Sequence, residues 1–161
     1  NFGAHILNKD NKIITQWNDL IIHQQNIGNI LSKIERIKKD FLLPDNVQLI
    51  EQNENEVFVF LNFRNKNLLL SENIDFSKRL TEFLSLHNIG DFYLYITDRD
   101  VTLIPQYIKK ELAVEFLLER YSNMTSVGIG DHKNDFSFMH LCDFSVFPND
   151  SSIAKLLKEF K

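Results

Sequence analysis

Cysteine is nearly absent: Cys142 is the single one in 161 residues. It can close no internal disulfide, which excludes a disulfide-stapled scaffold and points to a reducing compartment, expected to be the cytoplasm. Long hydrophobic runs are also missing. The longest, such as Asn67-Leu68-Leu69-Leu70, fall far short of the ~20 residues a membrane span needs. Nor is there a basic excess. Lys and Arg number 18 against 22 Asp and Glu, a net charge of −4, which argues against nucleic acid as a partner, because neutralising phosphates takes clustered cations in excess. No basic-then-apolar block opens the chain, so no signal peptide is expected. There is no internal repeat and no low-complexity segment. An initiator Met is lacking as well. The chain begins at Asn1, before which Met is ordinarily retained, so a fragment or processed product is expected.

What is present is ordinary for a globular protein: 43% hydrophobic and 25% charged residues. That composition excludes a disordered tail or a collagen-like fibre, and the length suffices for one core or two small lobes. Ala4 to Asn8 and Lys12 to Gln16 form strand-like runs around the turn Lys9-Asp10-Asn11. From Trp17 to Phe41, Leu20, Ile27, Ile30, Leu31, Ile34, Ile37 and Phe41 recur at helical spacing, with Lys33, Arg36, Lys38 and Lys39 on a solvated face. Leu43-Pro44-Asp45-Asn46 ends that helix. Strands are expected over Val47–Glu51 and Val57–Phe63, and again over Phe92–Thr97 and Val101–Ile104. A helix over Asp75–His87, stopped at Asn88-Ile89-Gly90, separates the two pairs. The last third alternates: helix Lys109–Tyr121, strand Thr125–Ile129, helix Asn134–Leu141, strand Phe144–Phe147, helix Asp150–Phe160. Such alternation predicts a parallel sheet covered by helices, an α/β arrangement.

Chemistry gathers in Val127-Gly128-Ile129-Gly130-Asp131-His132-Lys133-Asn134-Asp135. In open parallel sheets, ligands bind beyond the carboxyl ends of the strands, where Asp131 and Asp135 fall. Gly130 suits a sharp turn with a close approach. Two carboxylates four residues apart suit a hard cation such as Mg²⁺, which takes one or two protein carboxylates and keeps several waters. The bland alternative is that both simply cap a helix start, where negative charge is favoured. Lys110 opens the preceding helix against the helix dipole, a placement that calls for an anionic partner unless the lysine is merely solvated.

Together these residues resemble the haloacid dehalogenase-like superfamily of phosphohydrolases. Within it they resemble the subgroup with a large α/β cap, the Cof-type and sucrose-phosphate-phosphatase-like enzymes. The matching runs are Lys110-Glu111-Leu112-Ala113-Val114-Glu115-Phe116-Leu117, then Gly130-Asp131-His132-Lys133-Asn134-Asp135, then Phe138-Met139-His140-Leu141 leading to Phe144-Ser145-Val146-Phe147. Asn1-Phe2-Gly3-Ala4-His5-Ile6 is similar to the hairpin by which the family enters its cap. The departures are Phe2 within that hairpin and Glu111 in place of the usual Gly. The likeness is strong over Leu103–Lys161 and rests on element order over Asn1–Ile96.

The resemblance implies a Rossmann-like core from residues 1–16 and 97–161, with an inserted α+β cap over 17–96. It implies an Mg²⁺-dependent phosphatase acting on a small phosphorylated metabolite, a sugar phosphate. Asp131 would bind the metal and Asp135 would hold a metal-bound water. Asn134 would hydrogen-bond near the phosphate, and Lys110 would neutralise the nucleophilic carboxylate and the transferring phosphoryl group. The nucleophile itself, the first Asp of an Asp-x-Asp-x-Thr motif, would lie upstream of Asn1. The chain alone is then expected to be inactive, with an open sheet covered by the missing segment, another chain or self-association.

Asp98-Arg99-Asp100-Val101-Thr102 mimics the nucleophile motif. However, it lies only 33 residues before Asp131 and between two strand-like runs, so a polar turn is expected. Two other classes compete with the enzyme: a non-catalytic relative that binds a phosphorylated ligand or a partner chain, and an interaction module whose acidic loop is structural. His132 and His140 match no zinc spacing with Cys142, and Cys142 is expected to act as a small buried hydrophobe. Trp17, Phe58, Phe60 and Phe63 are expected in cores rather than as a sugar platform.

Overall fold

The computed structural model describes residues 2–66, 70–97 and 99–159. Asn1, most of the apolar run 67–70, Asp98 of the acidic turn, and Phe160 and Lys161 lie outside the described residues. Contacts divide the chain into two compact units, 18–108 and 2–17 with 109–161. The first is inserted in the sequence of the second.

The inserted unit holds a four-stranded antiparallel sheet, ordered β1-β2-β4-β3. Its strands are β1 (Val47–Glu54), β2 (Val57–Asn65), β3 (Phe92–Ile96) and β4 (Asp100–Pro105). β1 and β2 run longer than their apolar cores suggest. The turn between them is only Asn55-Glu56, both at positive φ (48° and 69°), a backbone twist that matches the twist of paired strands. Residues of β4 alternate. Val101 and Leu103 join the core, while Thr102 accepts a hydrogen bond from Asn62 Nδ2 at 2.8 Å. The core face is closed by α2 (Ile30–Asp40) through Ile30, Ile34 and Ile37, and by α3 (Leu70–Leu86) through Phe76, Leu80 and Leu84. Phe41, Phe63 and Phe76 meet at ring separations of 5.2–6.2 Å, where each aromatic pair adds ~0.5–1.5 kcal/mol beyond burial.

Two expectations need correction here. The single helix over 17–41 is two helices, α1 (Thr15–Ile27) and α2, because Asn29 turns left-handed at φ 50°, a conformation that asparagine tolerates better than most residues. The boundary placed at Ile96 moves to Ile108. Residues 97–108 belong with the inserted unit, since β4 is the inner strand that joins β2 to β3.

The second unit contains α4 (Lys110–Arg120), β5 (Val127–Ile129), a 3-10 turn (Lys133–Asp135), α5 (Phe136–Met139), β6 (Phe144–Val146) and α6 (Ser152–Glu159). β5 and β6 pair in parallel, Val127 opposite Phe144 and Ile129 opposite Val146. The helix expected over 134–141 shrinks to the turn and the four residues of α5. Likewise the N-terminal strand pair reduces to one bridge, Leu7 to Ile13. The turn itself forms where expected, because Asn8 Oδ1 accepts from Asp10 N (2.9 Å) and Lys12 N (3.0 Å). Gly3 sits at φ 93°, and a Cβ there would collide with the Lys109 carbonyl and lie 2.8 Å from Lys110 N. Gly3 thus lets the N-terminal segment lie against the start of α4. Trp17 anchors the same segment, donating from Nε1 to Gly3 O at 3.1 Å and packing on Phe116 at 5.2 Å. Ser151 caps α6 by accepting from Ala154 N at 3.1 Å. No helix among the described residues is long and apolar enough to cross a membrane.

Candidate active site

The site is built where β5 ends. Gly130 N donates to Val146 O at 3.2 Å, extending the parallel pairing by one step past Ile129. A Cβ on Gly130 would stand 2.6 Å from Asp135 Cβ and 2.7 Å from Met139 Sδ. Only glycine lets Asp135 and the fully buried Met139 pack against the strand end. The chain then turns through His132, whose Nδ1 accepts from Asn134 N at 3.3 Å. Asp135 returns the contact, its Oδ2 accepting from Asp131 N (3.3 Å) and His132 N (3.2 Å).

The other oxygen, Asp135 Oδ1, is paired with Lys110 Nζ. Asp135 is 93% buried by the exposure of its whole residue, whereas the lysine side chain is 44% exposed. Burial alone would push the Asp135 carboxyl up. The Lys110 ammonium and the His132 and Asp131 amides outweigh it and hold the group below the usual aspartate value. The same ammonium lies 5.5 Å over the Phe138 ring, a further attraction for a cation. Lys110 therefore finds its anionic partner inside its own unit.

Asp131 and Asn134 are exposed. The Asp131 carboxylate takes no hydrogen bond from the described residues, although its backbone carbonyl accepts from Ser152 N at 3.1 Å. Ser152 Oγ also accepts from Lys133 N at 2.7 Å and donates to Asp131 O at 3.3 Å. Ser152 thus sets the loop geometry, a role hidden in the sequence because it looks like one more polar residue at the start of a helix. Asp135, Lys110 and Asp131 are brought to one end of β5, and both capping and pairing occur at Asp135.

Carboxylate oxygens are the donor type Mg²⁺ takes; the Asp131 carboxylate is unengaged among the described residues, whereas both oxygens of Asp135 are already paired within the chain. No group of three His, Cys, Asp or Glu side chains converges among the described residues. His132 and His140 are exposed and engaged in local hydrogen bonds. Cys142 is half-buried rather than fully so, its thiol directed at Phe138 O. In the mimic of the nucleophile motif, Thr97 Oγ1 accepts from Arg99 N (3.2 Å) and Asp100 N (3.0 Å), and Asp100 pairs with Arg64 at 3.0 Å. Asp100 opens β4 and is not in a turn, and Asp98, the other half of the expected polar turn, lies outside the described residues. Trp17, Phe58 and Phe63 are buried in cores.

A sucrose-phosphatase from Synechocystis sp., solved in complex with sucrose and phosphate, superposes on 99% of this chain at a TM-score of 0.58 and 19% identity. The fold is haloacid dehalogenase-like. The chain spans 62% of the length of that sucrose-phosphatase. A haloacid dehalogenase-like hydrolase from Bacteroides thetaiotaomicron matches at a TM-score of 0.47 and 14% identity, over 99% of this chain and 74% of its own. No protein-family model matches the sequence, and no curated protein does.

Proposed function

We propose that the chain is the metal-binding part of an Mg²⁺-dependent phosphatase for a small phosphorylated metabolite, a sugar phosphate. The observation that carries this reading is the Lys110–Asp135 pair beside the unengaged carboxylate of Asp131 at the carboxyl end of β5. Phosphoryl transfer needs little covalent chemistry from a protein; it needs positioning and charge stabilisation. This end of the unit offers a fixed cation, a fixed carboxylate and a free carboxylate.

Asp131 and Asp135 would hold the magnesium ion, which when bound supplies charge neutralisation and a template for the phosphate oxygens. Asp135 is held by three donors, so its orientation costs nothing at the moment of reaction. Lys110 stays half-exposed and presents its remaining N–H donors to a second anion, either the nucleophile's carboxylate or the phosphoryl oxygens. Asn134, one residue before Asp135, is an exposed amide available to a phosphate oxygen. The nucleophile is an aspartate supplied by residues outside these 161, forming the aspartyl-phosphate. The same segment would lie over β5 and β6, whose Val127, Ile129, Phe144 and Val146 side chains are 51–70% exposed.

The test is a sugar-phosphate panel assayed with the longest natural form of the protein, with Mg²⁺ and with chelator. Turnover that needs Mg²⁺ and falls at least a hundredfold in Asp131→Ala is expected. Tight binding of a sugar phosphate without turnover would assign the chain to a non-catalytic relative instead.

A further inference from the structure

The backbone around Asp131 is held from both sides, although its carboxylate is not. On the amino side, Asp131 N donates to Asp135 Oδ2 at 3.3 Å. On the carboxyl side, the contact comes from another element, through Ser152, 21 residues away. Ser152 N donates to Asp131 O at 3.1 Å, and Ser152 Oγ donates to the same carbonyl at 3.3 Å. The same hydroxyl accepts from Lys133 N at 2.7 Å. One hydroxyl thus bridges the Asp131 carbonyl and the Lys133 amide, with only His132 between them. Ser152 is itself fixed. It opens α6 between Ser151 and Ile153, both buried, and Ser151 caps the helix by accepting from Ala154 N at 3.1 Å. The Ser152 hydroxyl is therefore relieved of the capping duty that a serine at a helix start ordinarily has.

We propose that Ser152 is a positioning residue for the Asp131 carboxylate, holding the loop in the conformation that presents it to Mg²⁺. The inference deepens the proposed function and rests on its reading of Asp131 as a metal ligand. The two hydroxyl bonds lie at exposed positions, where water competes for each donor and acceptor, so they contribute little to the stability of the whole unit. What they restrict is the backbone of residues 131–133. A carboxylate on a loop that must be ordered at the moment of binding loses that entropy from its affinity, and one on an ordered loop does not. Groups that orient a metal ligand without touching the metal change affinity by roughly 10–100-fold. The bond from Ser152 N survives replacement by Ala, so that substitution isolates the hydroxyl.

Amide NMR spectra of the 161-residue chain, titrated with Mg²⁺ alone, test it in the parent, Ser152→Ala, Ser152→Thr and Ser151→Ala, with a thermal melt of each. The parent is expected to give saturable shifts at residues 130–135. Ser152→Ala is expected to weaken the Mg²⁺ affinity at least about tenfold with little change in melting temperature, and Ser152→Thr, which keeps the hydroxyl, to recover it. Ser151→Ala removes the helix cap and leaves the Ser152 hydroxyl in place, so it should lower the melting temperature and keep an affinity close to the parent's. Equal affinity in Ser152→Ala and the parent, or an affinity that merely follows melting temperature across the four proteins, would overturn the positioning role while leaving Asp131 as the ligand. An absence of Mg²⁺ shifts at residues 130–135 in the parent, or shifts that persist in Asp131→Asn, would overturn the metal reading and this inference with it.

Discussion

Lys110 and Asp135, 25 residues apart in sequence, are joined end to end: the first residue of α4 gives its ammonium to the carboxylate that also caps the loop after β5. The pair ties two elements that are not neighbours in the chain. A lysine at a helix start is disfavoured by the dipole, and a carboxylate buried as deeply as Asp135 is disfavoured by desolvation. Each resolves the other's problem.

The two members are not equivalent, which gives the first prediction. Asp135→Ala leaves the Asp131 and His132 amides without an acceptor and strands a half-buried ammonium. Lys110→Met leaves a carboxylate that still has two backbone donors. Asp135→Ala should cost roughly 1–3 kcal/mol and Lys110→Met clearly less, since lysine is partly solvated and its pair is screened. Urea denaturation of both variants with unchanged slopes would measure this. Equal losses would mean that the amide contacts contribute nothing.

Asp131 carries the second prediction. Its carboxylate is exposed and unengaged, so Asp131→Asn should leave thermal stability within about 0.5 kcal/mol of the parent. It should nevertheless abolish Mg²⁺-induced shifts in the amide signals of residues 130–135. Mg²⁺ shifts that persist in Asp131→Asn would move the metal elsewhere.

Much of this site was legible because its parts carry local signals: a glycine before two spaced acids, and a lysine where a helix dipole opposes it. What was not legible was the partner. The resemblance gave Lys110 to a nucleophile and a phosphoryl group, whereas the fold gives it first to Asp135, a contact set by how α4 packs and invisible in spacing. The helix break at Gly28-Asn29 was missed because the apolar period continues across it from Ile27 to Ile30 and Ile34. The unit boundary was misplaced as well. The resemblance places the return to the core at residue 97, and only the pairing of β4 with both β2 and β3 shows that the chain has not yet left the sheet.

Glycine substitutions separate two backbone positions. Gly130→Ala places a methyl 2.6 Å from Asp135 Cβ and 2.7 Å from Met139 Sδ, an overpacking expected to cost ~1–3 kcal/mol. Gly90→Ala meets nothing within 4 Å, and by restricting the unfolded chain it should be neutral or stabilising by roughly 0.4–1 kcal/mol. Thermal melts of the two variants should move in opposite directions or differ by several degrees.

Acid should loosen the second unit at a definable place. Asp143 Oδ2 accepts from Ser126 N at 2.8 Å and from Ser126 Oγ at 2.9 Å, and Ser126 Oγ accepts from Asp143 N at 2.9 Å. These bonds hold the Asp143 carboxyl below its ordinary value. A lowered native pKa means the clamp contributes fully above the unfolded value of about 3.9 and is lost as pH falls through the lower native value. The protection of the Ser126 amide, its exchange rate relative to an unprotected amide at the same pH, should fall in the parent as pH drops through the native value. In Ser126→Ala the titration of Asp143 should return toward the unfolded value.

The outer side chains of β5 and β6 set the last expectation. Val127 is 53% exposed, Ile129 70%, Phe144 60% and Val146 51%, an apolar group at the open edges of a two-stranded parallel sheet. Parallel strands are ordinarily buried on both faces, and unpaired edges recruit other strands. The 161-residue chain on its own should therefore associate with itself as concentration rises. Sedimentation velocity over a wide concentration range measures this, and Ile129→Lys with Phe144→Lys should restore the monomer by placing charge on the exposed strands. Under the proposed function, a longer form that supplies the nucleophile segment should stay monomeric without those substitutions, because that segment would occupy the face. If the 161-residue chain is monomeric throughout, these side chains are tolerated in water and the face needs no cover.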